Sequence, residues 1–194
     1  IYQNEKKKKK KKKKISINQI KNLSKTLKKQ IKFDLIKITS KKKNFSNLNF
    51  KKIPNILGVL NVTPDSFSDG GKYITKNKAI KHAIDLFNLG ADLIDVGGES
   101  TRPGSKAISE DLEWNRVNKI IKSINKKVPL SLDTRKASIM KKGIRSGIKL
   151  INDVSGLNYD IQTLDILKKY RIPFVIQHSQ GDPENMQNRP SYKN

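Results

Sequence analysis

Residues 57–71 read Leu-Gly-Val-Leu-Asn-Val-Thr-Pro-Asp-Ser-Phe-Ser-Asp-Gly-Gly. An apolar run, 56–60, stops at Asn61, and a polar loop holding one proline, two aspartates, two serines and a glycine pair follows. A buried parallel strand that delivers a polar side chain to a site and then opens a loop over it has this form.

The same event recurs four times. Residues 93–96 lead into Gly97-Gly98-Glu99-Ser100-Thr101-Arg102-Pro103-Gly104. Residues 128–132 end in Asp133-Thr134-Arg135, residues 150–151 in Asn152-Asp153, and residues 173–176 in Gln177-His178-Ser179-Gln180-Gly181. Each run is short, rich in Ile, Leu and Val, and without alternation, as suits a strand covered on both faces.

Helical patterns separate the runs. Ala79, Ala83, Leu86 and Phe87 fall at helical spacing before the stop signal Leu89-Gly90. Ser109 is a candidate N-cap for a second helix through Ile124, with acidic residues 110, 111 and 113 in its first turn. Residues 136–146 and 160–170 supply two more. Strands and helices in strict alternation predict a parallel α/β sheet with right-handed crossovers. Pattern alone leaves an open doubly wound sheet and a (β/α)8 barrel both possible. Polar residues at every strand end favour the TIM-type barrel, which gathers its site from several strand ends, whereas an open sheet concentrates it at one switch point. Five strands finish by about residue 181 and 13 residues follow, against about 250 residues for a complete barrel. The expectation is therefore a barrel truncated after about five strands, a fragment of something longer.

Charge divides the chain. The formal net charge is +25, and residues 1–52 carry 20 lysines against Glu5 and Asp34. Nine consecutive lysines, 6–14, read as a solvated tail or the product of an adenine-rich tract. A nucleic-acid arm is the sharper reading, but no aromatics interleave with the lysines as a base-stacking platform requires. Ile15, Ile17, Ile20, Leu23, Leu27, Ile31, Leu35 and Ile38 step by threes and fours, predicting one amphipathic helix over 15–38. The domain expectation is a Lys-rich extension over 1–43, disordered or a linker helix, and the first part of a barrel over 44–194. Phe45, Leu48, Phe50 and Ile53 give a strand or hairpin signal, suited to a lid over the barrel's N-terminal end. The absence of cysteine excludes disulfides and thiolate metal sites. No apolar stretch approaches the length that spans a bilayer, so a cytoplasmic enzyme domain is expected.

At one mouth the strand ends bring together Asn61, Asp95, Glu99, Thr101, Arg102, Asp133, Asn152 and His178. A carboxylate accepts N–H bonds from a heterocycle edge, and an amide both donates and accepts, so Asp133 and Asn152 could read a pterin or purine ring. Asp133 could instead cap the following helix, though Thr134 is better placed. Asn61 offers a hard amide oxygen suited to Mg²⁺, which keeps most of its waters and leans on substrate phosphate. Arg102 is a candidate anion contact, and His178 is more simply a packed, hydrogen-bonded group than a base. There is no GxGxxG fingerprint and no P-loop.

Five ordered blocks, at 58–71, 94–104, 131–134, 151–153 and 178–187, resemble the dihydropteroate synthase family of folate biosynthesis. The resemblance implies a (β/α)8 barrel transferase that joins 6-hydroxymethyl-7,8-dihydropterin diphosphate to 4-aminobenzoate with Mg²⁺ and releases diphosphate. It implies that Asn61 is the Mg²⁺-linked asparagine, that Asp133 and Asn152 read the pterin, and that Thr101 contacts substrate. Residues 65–71 and the stretch around Arg102 and Pro103 would be the two mobile loops, with Phe67 bordering the aminobenzoate pocket. A homodimer is expected of the full-length form, with small-molecule substrates and neither membrane nor nucleic acid as partner. The family's third pterin-binding aspartate, its Ser-Arg-Lys block and its Arg-x-His pair do not occur in residues 1–194. An inactive fragment of such an enzyme is therefore one alternative, and a pterin-binding methyltransferase domain is another. The latter would not need the Pro-Asp-Ser-Phe-Ser and Ser-Thr-Arg-Pro loops.

Overall fold

The apolar runs become five strands: β1 (Leu57–Asn61), β2 (Leu93–Gly97), β3 (Leu130–Asp133), β4 (Leu150–Asp153) and β5 (Phe174–Ile176). They form one parallel sheet in the order β1-β2-β3-β4-β5. The computed structural model describes residues 14–41, 43–45, 48–51, 54–63, 76–102, 104–178, 181 and 191. The chain divides into two units, Ile1–Lys43 and Asn44–Asn194.

Between the strands lie α2 (Lys76–Asn88), α3 (Glu110–Ile124), α4 (Ala137–Arg145) and α5 (Thr163–Tyr170); α1 (Lys25–Thr39) belongs to the first unit. One apolar cluster unites Leu60, Ile94, Val96, Leu130, Leu132 and Ile151 of the sheet with residues of all four later helices, among them Ala83, Val117, Ile121, Met140 and Leu167. The helices therefore share one face. A doubly wound sheet reverses its strand order and puts helices on both faces. Sequential order with one-sided helices is the wall of a (β/α)8 barrel, and five of its strands lie among the described residues.

Local chemistry explains the helix limits. Ser109 caps α3, its Oγ accepting from the Leu112 amide at 3.3 Å. Gly90, at φ +112°, ends α2 in the left-handed region that glycine enters without a Cβ penalty. α4 starts at Ala137 without a side-chain bond from its own N-cap residue. Thr134 Oγ1 accepts from the Lys136 amide at 3.3 Å, and Asp160, from the loop after β4, accepts from the Ala137 amide at 2.9 Å. Asp133 is thus not the cap of this helix.

The opposite sheet face begins at the N-terminal strand ends with Leu57, Leu93 and Leu150, against which Leu48 and Phe45 pack. Phe45 and Leu48 form an antiparallel bridge, so the expected hairpin signal is a small plug under the strands. In the first unit the single helix expected over 15–38 is broken. A 3-10 turn, Ile17–Asn22, precedes α1, and Ser24 interrupts them by accepting from the Leu27 amide at 3.4 Å. A serine oxygen competes well for a free amide at a helix start, which the apolar spacing does not register.

Candidate functional site

Parallel register places Asn61, Gly97, Asp133 and Asn152 side by side across β1 to β4. All four belong to the sheet face opposite the helices, at the C-terminal strand ends. A Cβ on Gly97 would stand 3.1 Å from Asn61 Oδ1 and 3.6 Å from Asp133 Oδ2. Gly97 thus leaves the room in which an amide from one side and a carboxylate from the other approach each other.

Asp95 lies one side-chain layer below. Its Oδ2 accepts from Asn152 Nδ2 at 2.9 Å, which fixes the Asn152 amide with its nitrogen toward Asp95. Burial pushes the Asp95 carboxyl above its ordinary pKa, against the lowering pull of the Ser131 hydroxyl and the Asn152 amide. Asp133 is pushed up much further. Burial is the main cause, reinforced by the negative charges of Asp95, Glu113, Asp153 and Glu99. Its Oδ1 is buried and has no hydrogen-bond partner among the described residues. A buried carboxyl with an idle oxygen and a raised pKa wants donors from a ligand.

Glu99, one of the mouth residues expected from sequence, has a different task. It is 6% exposed and paired with Arg135 at 3.0 Å and Lys136 at 3.1 Å. Burial works to raise its pKa, but Arg135, the Ile108 amide and Lys136 together hold it below the usual value. Thr101 is half-buried and Arg102 exposed in the loop after β2; His178 is exposed just beyond β5. Phe67 and the loop over 64–75 lie outside the described residues.

No group of three His, Cys, Asp or Glu among the described residues could hold a metal. Asn61, the donor expected from sequence, stands at the rim of the register row, exposed, with its Oδ1 over Gly97. A single neutral oxygen fits a Mg²⁺ ion carried mainly by water and substrate phosphate and does not fit a protein-built cage.

Sequence reasoning picked Asn61, Asp133 and Asn152, and the structure sets them in one row. It missed the orienting role of Asp95, and it read Glu113 as a first-turn helix acid. Both depend on contacts between distant segments, for which apolar spacing carries no signal.

A barrel wall with an amide, an unpaired carboxyl and a second amide across adjacent strand ends is the frame of a ligand-binding enzyme. The pattern of the pterin binding enzyme family matches residues 57–194, and the chain belongs to that family. Dihydropteroate synthases are among its relatives. The one from Bacillus subtilis (strain 168) is 43% identical over 139 residues, covering 71% of this chain and 49% of that protein. Among solved structures, Yersinia pestis dihydropteroate synthase with a sulfonamide drug is 41% identical, with a TM-score of 0.69, over 76% of this chain and 54% of the other. The Xanthomonas albilineans enzyme with 4-aminobenzoic acid is 40% identical, with a TM-score of 0.63, over 72% and 49%. This chain spans about half the length of the curated relatives it matches.

Proposed function

We propose that the chain forms part of a dihydropteroate synthase, a transferase of folate biosynthesis. It would condense 6-hydroxymethyl-7,8-dihydropterin diphosphate with 4-aminobenzoate to 7,8-dihydropteroate and diphosphate. The observation that carries the reading is the idle, buried Asp133 Oδ1 in register with Asn152, at the mouth of a pterin-family barrel.

In this reading Asp133 accepts from the ring-edge N–H groups and Asn152 both donates and accepts, held in that orientation by Asp95. The bond between the pterin methylene carbon and the diphosphate oxygen breaks with its electron pair leaving on diphosphate. The aryl amine nitrogen then bonds to that carbon and loses a proton. The chain contributes orientation of two flat rings and stabilisation of developing charge. Asn61 would hold Mg²⁺, whose chemistry is neutralisation of the departing diphosphate. Thr101 and Arg102 would face that anion and the second substrate from the loop after β2, and Phe67 would border the aminobenzoate. A cytoplasmic homodimer of the full-length form, with residues 1–43 as an extension outside the barrel, goes with this reading. Among the described residues no helix is long and apolar enough to cross a membrane.

The test is product formation by the full-length protein with both substrates and Mg²⁺, followed as release of diphosphate and appearance of dihydropteroate. Steady turnover that requires both substrates is expected. Diphosphate release without a coupled product, or no turnover, overturns the assignment.

A further inference from the structure

Four charged side chains are buried behind the strand ends. Glu99 Oε2 meets Arg135 Nε at 3.0 Å, and Lys136 Nζ lies 3.1 Å from Glu99 Oε1 and 2.6 Å from Glu113 Oε2. Arg135 also stacks its guanidinium 4.1 Å above the centre of the Tyr159 ring. No side chain of the cluster is more than 7% exposed. Two cations and two anions balance, yet such a cluster is a poor source of stability, since apolar residues of similar volume commonly do as well. Its value lies in geometry.

That geometry is specific. Glu99 starts the loop after β2, and the same Oε1 that meets Lys136 accepts from the amide of Ile108, at the loop's far end, at 2.8 Å. One carboxylate therefore closes residues 100–107, with Thr101 and Arg102 among them, into a staple-ended loop. Two further bonds tighten it within, from Ser105 Oγ to the Ser100 carbonyl at 2.7 Å and from the Ser105 amide to the Arg102 carbonyl at 3.0 Å. On the other side, Arg135 and Lys136 follow Asp133 after a single intervening residue. Lys136 ties them to α3 as well, through Glu113.

We infer that Glu99 and Lys136 are positioning residues: they fix the two ends of the loop carrying Thr101 and Arg102 relative to the strand end that bears Asp133. The loop anchor stands on the geometry alone; its consequence for turnover rests on the proposed synthase reaction. Losing it frees the loop but leaves the ring-edge groups in place, so the second substrate and the departing anion suffer while pterin binding does not.

The test uses the full-length protein with Glu99→Gln, and with Glu99→Gln combined with Lys136→Met. The double variant removes one charge of each sign, so the net charge of the cluster is unchanged. Lys106 is exposed in the loop and is a trypsin site. Cleavage after Lys106 should accelerate at least about tenfold in both variants, as loss of a charge-assisted hydrogen bond implies. The kcat/KM for 4-aminobenzoate should fall by on the order of 10²-fold, the scale of a misplaced contact group, with no matching loss of pterin affinity. Unchanged cleavage in both variants, or pterin affinity that falls in step with turnover, overturns the inference. If the parent protein makes no dihydropteroate, the proposed reaction fails, and Lys106 cleavage still decides the anchor.

Discussion

Asp133 carries the sharpest chemistry at the residue scale. Its raised pKa means that, between the ordinary carboxyl pKa and the raised one, the folded protein holds a proton that the unfolded chain has released. The stability contributed by the protonated form is fully present below the ordinary carboxyl pKa of 3.8 and is lost as pH rises through the raised value. Asp133→Asn should therefore raise the thermal transition relative to the parent at pH 8, with the gain shrinking toward pH 4. A constant difference across that range would contradict a pKa raised by burial and neighbouring negative charge. Ligand N–H donors favour the carboxylate, so ring binding should release a proton, seen as a binding enthalpy that changes with the buffer's ionisation enthalpy. Asn61 makes a separate prediction. With one ligand oxygen on the protein and the rest on water and substrate, Asn61→Ala should leave binding of the bare pterin intact and slow turnover at limiting Mg²⁺ by on the order of 10²-fold. Normal turnover at limiting Mg²⁺ would remove the metal role.

At the scale of elements, β1, β3 and β4 each hand a polar group to the mouth, because their apolar runs end on the face opposite the helices at Asn61, Asp133 and Asn152. The cap of α3 matters for the same reason, since this helix supplies both Val117 to the core and Glu113 to the buried ion pair. Ser109→Ala should cost about 0.5–2 kcal/mol in denaturant unfolding. No change in midpoint would mean that the Leu112 amide finds water as good a partner. Ser109, the Gly90 stop and the five strands were legible because caps, glycines and apolar runs act locally. The break at Ser24 was not, because eight apolar residues at helical spacing outweigh one serine in any pattern reading. Asp160 capping α4 and Lys136 joining two carboxylates were equally hidden. They bring together residues 23 and 37 positions apart, and only the folded crossover makes them neighbours.

For the whole molecule, charge and fold separate along the chain. Residues 1–43 form their own unit, and α1 keeps none of its side chains fully buried. The barrel portion has its own core and its own plug under the strands. Deleting residues 1–43 should leave both the unfolding transition of the rest and its pterin affinity unchanged, measured side by side with the longer protein. A lowered transition would show that the extension contributes to the barrel unit.

The central claim is that Asp133 and Asn152 read a pterin edge, and calorimetric titration with a pterin tests it most directly. The full-length parent, Asp133→Asn and Asn152→Ala should be compared at one pH and temperature. Each substitution leaves a buried ring-edge group mismatched, so each should weaken binding by about 1–3 kcal/mol. Equal affinity in all three proteins would contradict the claim, because these two side chains would then make none of the ring-edge hydrogen bonds.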